Sequence, residues 1–323
     1  MSTSSVAVTR STQVAKPRTK LSPLVRRRAA WGTFFLMPWI IGFFVFQLLP
    51  VIATIIFSFT DYSATKELTW ENIHFVGFKN YAHLFSDAVL LPSFGVTLKF
   101  ALISIPLGLV VPLAFALLVN SKHLKASSIF RTLFFMPSII PVVAGTMVFQ
   151  AVLNPQSGWI NLMLKFFGIE GPRWFDDPNW AVPALNILGI WAVGNGMIIL
   201  LAGLQGVPTE LYEASVVDGA NAVQRFLNIT LPMISPVIFY NVTLGLIGAF
   251  QYFVPAMLIG GRNGDPQGAL LFFPLHFYRQ TFVFNEMGYG SVLALILFVV
   301  VMIATSLLFW LGQRLVYYAG GDS

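Results

Sequence analysis

Polar residues are few in this sequence, and those that offer chemistry fall into two sets. The first is compact: between Val207 and Pro236 the chain reads VPTELYEASVVDGANAVQRFLNITLPMISP, with Glu210, Glu213, Asp218 and Arg225 close together between two long apolar segments. Thr209 is placed to cap a first short helix, whose positive N-terminal end suits Glu210 and Glu213, and Gly219 supplies the positive-φ residue that ends such a helix. Asn221 followed by Gln224 has the capping-box pattern of a second helix running toward Asn228, and Pro232 and Pro236 mark the return to apolar chain. Taken by themselves, these residues read equally as an ordinary helix-turn-helix connector. The second set is scattered through the apolar segments and comprises Asn186, Trp191, Asn195, Asn241, Gln251 and Tyr252. Amides together with aromatic faces hold neutral, hydroxyl-rich solutes. A single amide serves equally well as a link between helices, at about 0.6–2 kcal/mol. Gly194-Asn195-Gly196 and Phe250-Gln251-Tyr252 rise above that reading, which makes Asn195, Gln251 and Tyr252 the expected lining of a solute path.

Other chemistries find no support. The phosphate-binding pattern G-x-x-x-x-G-K-[ST] is absent from the sequence, so ATP hydrolysis by this chain is not expected, and H-E-x-x-H is absent too. His74, His83, His123 and His276 are scattered without ligand spacing and read as structural or solvated, so no metal and no cofactor is expected. With no cysteine there are no disulfides or thiolate sites. No nucleophile and base are recognisably paired, so the chain reads as a non-enzyme. Lys99 is the one charge placed inside an apolar segment, near an end from which its ammonium group can snorkel. Ion-coupled carriers generally keep ionisable groups within their spans. The absence of buried carboxylates here implies that energy arrives from outside the chain.

The elements that must position these residues are membrane helices. A chain that is 56% hydrophobic and 10% charged, with a mean hydropathy of +0.76, is a polytopic membrane protein. Six apolar runs are long enough to span: Trp31–Phe59, Phe94–Val119, Ile129–Leu153, Trp180–Leu204, Ile234–Ile259 and Tyr289–Trp310. The fold class expected is therefore all-α, with six transmembrane helices in residues 29–316, a disordered tail over 1–28, a short C-terminal tail over 317–323, and the polar insert at about 205–233. The formal charge of +6 comes largely from the N-terminal tail and reads as a signal facing anionic lipid, not nucleic acid. Arg10, Lys16, Arg18, Lys20, Arg26, Arg27 and Arg28 share a side with Lys122, Lys125, Arg131, Arg225 and Arg314. Positively charged loops stay in the cytoplasm, so both termini and the Glu213 insert are expected there.

The insert resembles a known signature. Glu213-Ala214-Ser215, Asp218-Gly219-Ala220, Phe226 and Ile229-Thr230-Leu231-Pro232 are similar, without a gap, to the EAA loop of binding-protein-dependent ABC importer permeases, with Ser215 where that family usually has Ala. PVIATIIFSFTDY, FVGFKNYAHLF, SSIFRTLFFMPSIIP and IWAVGNGMIILLAGLQGVP resemble stretches of the carbohydrate-type permeases of the maltose and glycerol-3-phosphate group, in an order closer to the first permease subunit. The resemblance covers about Trp31 to Leu315. It implies a permease subunit in a prokaryotic cell membrane, partnered by a second permease, two ATP-binding subunits and an extracytoplasmic solute-binding protein. It further implies inward movement of a sugar, oligosaccharide or related polyol phosphate by alternating access. On this reading Glu213 is a charged contact to the ATPase, Asp218 a cap or second polar contact, Gly219 an elbow leading into Ala220, and Leu211, Tyr212 and Ala214 the apolar face entering the ATPase cleft. Two alternatives stay open: a permease for a non-sugar solute such as a polyamine or phosphate, and a membrane receptor or scaffold that moves nothing.

Overall fold

The computed structural model describes residues 23–317 except 66, 68, 70, 122 and 123. Among these the chain is helical apart from an isolated antiparallel bridge between Thr60 and Phe75. The expected tail is shorter than its composition suggested: the first helix begins at Pro23, so Pro23–Arg28 belong to it, and the remainder of the predicted tails, 1–22 and 318–323, lies outside the described residues. The membrane-length part of this helix, α1, is Ala30–Ser58, with Trp31, Phe34, Phe35, Trp39 and Phe46 exposed around it. Such an all-round apolar surface is that of a helix made for lipid or for another helix. A π turn at Phe44–Leu48 precedes Pro50, whose ring would otherwise collide with the carbonyl four residues back.

From Thr54 onward the chain forms one compact unit. After the short helix α2 (Lys79–His83), its central element is α3 (Leu90–Asn120), 31 residues and about 45 Å long. The expected third span is not continuous: α4 (Ser127–Phe135) runs through a 3-10 turn to Ile139 and meets α5 (Val142–Val152) at 101°. Pro141 causes the break, because it lacks an amide and drives Ile140 into extended backbone (ψ 129). The short helix α6 (Trp159–Phe166) follows, and then the expected fourth span, itself two helices, α7 (Pro178–Trp191) and α8 (Gly194–Gln205), bent by 51°. The insert carries α9 (Thr209–Val217) and α10 (Ala222–Arg225). The fifth span is α11 (Ser235–Phe250) with α12 (Val254–Gly260). Beyond it come α13 (Phe273–Tyr278) and the sixth, α14 (Met287–Leu315). Among the described residues four helices are long and apolar enough to cross a membrane, or up to six spans if each bent pair is one.

Helices α7, α8 and α11 pack around α3, and α14 packs on α11. Lipid is as apolar as leucine, so close approach rather than burial from water holds such a bundle together. Small residues sit at the contacts accordingly. A Cβ on Gly194 would lie 2.7 Å from the Phe134 carbonyl oxygen, and one on Gly312 would strike the Phe239 ring. Two apolar clusters divide α3: Phe100 and Ala101 pack with Leu185, Phe250, Leu270 and Phe272, while Ala116 and Val119 pack with Met197, Leu200, Leu204 and Ile234. The insert emerges at the second cluster.

Candidate functional site

The insert is built almost wholly from backbone devices. Thr209 does not cap α9: the N-cap is Pro208, in extended backbone (ψ 132), and no side chain caps this end. Proline fixes φ and already turns the chain out of the preceding segment, so a side-chain cap is dispensable there. At the other end Gly219 has φ +75, as its position required. The amide of Ala220 donates to the Ser215 carbonyl at 2.9 Å and that of Gly219 to Val216 at 3.1 Å, a Schellman ending. The reciprocal capping box follows, with Asn221 N–H donating to Gln224 Oε1 at 2.8 Å and Gln224 N–H to Asn221 Oδ1 at 2.9 Å.

This geometry sorts the predicted residues. Leu211, Glu213, Ala214, Asp218 and Gly219 are exposed, and Ala220 is half-buried in the elbow. Tyr212 departs from its expected place: α9 turns it inward, against the cluster containing Val207 and Ile234, where its hydroxyl lies 2.9 Å from Thr230 Oγ1. Ser215, three positions after Tyr212, shares its face of the helix. Ser215 is accordingly buried, and Val216 and Val217 join Leu211 on the exposed side, with Val223 of α10 exposed as well. Charge patterning does not mark these valines. Their signal was apolar residues at the exposed end of a capped helix.

A cavity of about 270 Å³ opens where the helices are interrupted. Its lining comes from three chain breaks: Pro137, Ser138 and Ile140 before α5, Trp191 and Ala192 between α7 and α8, and Tyr252 and Pro255 between α11 and α12. Asn195 projects into it from the first turn of α8. Interrupted helices are where irregular backbone can border a water-filled path. The structure thus brings Asn195, Tyr252 and Trp191 together, with Tyr252 resting on Phe100 at 4.3 Å and Trp191 on Phe149 at 5.2 Å. Gln251, the C-cap of α11, is exposed and outside this lining: its amide still bonds back to the helix at Ile247 O and Gly248 O, and the break opens only after it. The glycines beside Asn195 do not approach a ligand: Gly194 meets α4, and Gly196 lies near Pro112 and Asn241. Asn241 donates to its own helix, to Val237 O at 2.9 Å.

A third polar centre lies at the Leu90 end of α3. Asp87 Oδ2 accepts hydrogen bonds from His276 Nε2 at 2.7 Å and from the Tyr289 hydroxyl at 2.6 Å, tying α13 and α14 to the start of α3. Only 1% of the His276 side chain and 7% of the Asp87 side chain are exposed. Burial holds His276 below its ordinary value, outweighing the upward pull of Asp87. Burial pushes Asp87 up, yet hydrogen bonds from Tyr289, the Val89 amide and His276 together hold it below the usual carboxylate range. Neutral His276 therefore donates to carboxylate Asp87, and its buried Nδ1 has no partner among the described residues that could accept from a second proton. Sequence spacing gave no hint of this centre, because its members are separated by 189 and 202 positions.

A family model for "binding-protein-dependent transport system inner membrane component" matches residues 104–317, which include the cavity breaks and the whole insert. The chain belongs to that family. This inner membrane permease is 35% identical over 301 residues to the probable ABC transporter permease protein YesP of Bacillus subtilis, covering 93% of this chain and 96% of that one. It is 34% identical to the sulfoquinovosyl glycerol transport system permease protein SmoG of Agrobacterium fabrum, over 80% of this chain and 82% of that one. It is 30% identical to the trehalose/maltose transport system permease protein MalF of Thermococcus litoralis, over 87% and 93%. Its fold is that of a chain in a bacterial alginate ABC transporter crystallised with an alginate pentasaccharide-bound periplasmic protein: the TM-score is 0.76 at 22% identity, over 89% of this permease and 96% of that chain. A permease of this kind works with a second permease, ATP-binding subunits and a solute-binding protein, and the hydrolysis of ATP belongs to the ATP-binding subunits.

Proposed function

We propose that this permease moves a neutral, sugar-like solute inward through the cavity at the three helix breaks, driven by ATPase motion delivered through the insert. The observation that carries the reading is the cavity itself, where one amide, Asn195, and two aromatic residues, Trp191 and Tyr252, converge on a space large enough for a sugar ring without any charged side chain in its lining. Uncharged hydrogen-bonding groups beside aromatic faces suit hydroxyl-bearing solutes and disfavour polyamines and phosphate. Relatives whose names specify trehalose/maltose and arabinooligosaccharides support the solute class.

On this reading both termini and the insert face the cytoplasm, and the Asp87 end faces out. Exposed Glu213 contacts a basic group of the ATPase, Asp218 adds a second polar contact, and Leu211, Ala214, Val216 and Val217 enter its cleft. Tyr212, Gly219 and Ala220 keep α9 rigid against the spans. Closure of the ATPase pair then rocks α8 and α11, which enter and leave the insert, and opens the cavity to alternate sides.

Reconstitution of the complete complex in proteoliposomes tests both halves. Uptake of labelled maltose, trehalose or lactose with bound solute-binding protein is expected from the wild type, abolished by Glu213→Lys and weakened in apparent KM by Asn195→Ala. Absence of flux for any solute in a complex that hydrolyses ATP would favour a receptor or scaffold. Normal uptake by Glu213→Lys would remove the coupling role.

A further inference from the structure

The connection between α5 and α7 carries α6, whose eight residues read WINLMLKF. This short helix has two apolar faces. Trp159, Leu162, Met163 and Phe166 recur at i, i+3, i+4 and i+7, and all four are exposed, Phe166 at 85%. On the opposite face Ile160 and Leu164 pack with Phe149, Leu153 and Leu188, and Asn161 is buried beside them. Asn161 locks that inner face in place: its Nδ2 donates to the Pro155 and Pro172 carbonyls, each at 3.1 Å, and its Oδ1 accepts from Trp174 Nε1 at 2.7 Å. Gly168, at φ +74, ends the helix, with its amide donating to the Lys165 carbonyl at 2.9 Å and that of Ile169 to the Leu164 carbonyl at 3.0 Å. Held at its side and at its end, α6 is not free to roll and hide its outer face.

A contiguous apolar face fixed outward marks a contact with membrane or protein. Three features point to lipid. First, α6 is about 12 Å long, too short to cross ~30 Å of hydrocarbon, and with each bent pair counted as one span it joins two consecutive spans at the end opposite the insert. It therefore sits at the membrane surface. Second, polarity switches at the Gly168 turn. The helix holds no carboxylate, and its one charge, Lys165, lies at the border of the two faces, where a long side chain reaches headgroups. Exposed Glu170, Arg173 and Asp176 all follow the turn. Third, Trp159 brings to the start of the helix the amphipathic ring that is enriched where hydrocarbon meets water. A solute-binding protein that docks and leaves would bare this face to water between visits, whereas lipid covers it throughout. We propose that α6 is a membrane-surface helix whose Trp159, Leu162, Met163 and Phe166 are set into the headgroup–acyl boundary of the bilayer on the side opposite the insert. It holds the connection between the third and fourth spans at a fixed depth.

The test places the photoreactive residue p-benzoylphenylalanine at Met163, at Phe166 or, beyond the turn, at Arg173. Each variant is assembled into the complete complex in nanodiscs of phosphatidylethanolamine and phosphatidylglycerol, with and without the solute-binding protein. All three side chains are exposed, so the larger ring enters without disturbing the inner face of α6. After illumination, mass spectrometry of the peptides reads what each position touched. Phospholipid adducts are expected at positions 163 and 166 whether or not the solute-binding protein is present, with a loss to background at 173. Adducts to the second permease or to the solute-binding protein in place of lipid overturn the proposal, as does the absence of lipid adducts at both helix positions. Equal lipid adducts at 166 and 173 overturn it too, because no boundary between lipid and water would then run along this connection.

Discussion

The two ends of α3 are secured by opposite means. Near Asn120 the insert is shaped by main-chain hydrogen bonds, a positive-φ glycine and a reciprocal cap, and its outer face keeps Leu211, Glu213 and Val217 exposed. Near Leu90 three segments distant in sequence are joined through one buried carboxylate, Asp87, and its two donors. Backbone devices leave side chains available for a partner and carry no titratable group. A buried polar centre leaves nothing to present, but fixes which segments meet and makes that end sensitive to protons. A rigid element suits a lever, and a polar clasp suits the end where loops must be held in register.

The largest expected effect breaks the clasp. Asp87→Ala leaves the Nε2–H of His276 and the hydroxyl of Tyr289 without their acceptor, at a cost of about 3 kcal/mol given that bonds to a charged group are the stronger ones. Thermal unfolding in detergent should fall markedly, while Tyr289→Phe, which removes one donor and strands none, should cost about 1 kcal/mol. Equal melting of Asp87→Ala and wild type would show that the clasp holds nothing.

Acid should weaken the same end. The folded state lowers the pKa of His276, so unfolding takes up a proton once the pH falls below the unfolded value of about 6.5, and stability is lost from there down through the depressed folded value. Asp87 is also depressed, so its contribution is present above about 3.9 and is lost only below that. Arg279 is the further charge acting on His276 and lowers it too. His276→Gln keeps a donor for Asp87 and should flatten the first of these two losses in a pH series of melting temperatures. A His276→Gln profile superimposable on that of the wild type between pH 6.5 and 5 would deny His276 this role.

At the insert the expected cost is smaller in energy but larger in coupling. Gly219→Val forces a β-branched residue to φ +75, at about 1–2 kcal/mol of strain. Nothing lies within 4 Å of the added Cβ, so the effect is one of backbone and not of collision. Membrane insertion and melting should change little while solute-stimulated ATP hydrolysis drops. Gly219→Asn, which tolerates this conformation, should restore most of it.

The difference between the ends also explains what could be read in the sequence. The Gly219 elbow and the Asn221–Gln224 box are local, and local chemistry fixed them within a few residues. The membrane helices were legible from apolar length, although Pro141 in Ile129–Leu153 divided a run that composition alone leaves whole. Asn195 and Tyr252 were recognisable as amide and aromatic residues in spans, but which of the breaks turned them into one cavity, and why Gln251 was left out, depends on the bends at Ile139–Val142 and Trp191–Gly194. The Asp87 clasp was invisible because no pattern marks residues that meet only through the packing of α3, α13 and α14. His276 accordingly read as a scattered loop histidine.

The smallest expected effect sharpens the comparison at the one point where the insert does use a side chain. Tyr212 reaches Thr230 across the two short helices at 2.9 Å, and Tyr212→Phe keeps the ring in its apolar contact while removing that bond. Its net worth is about 1 kcal/mol, less if the buried Thr230 hydroxyl keeps its weaker bond to the Arg225 carbonyl at 3.4 Å. A small fall in melting temperature with transport nearly intact is expected if the backbone devices set the angle of α9. A loss of coupling as deep as that of Gly219→Val would instead make the Tyr212–Thr230 bond the brace of the lever, and the contrast between a backbone-built end and a side-chain-built end would narrow accordingly.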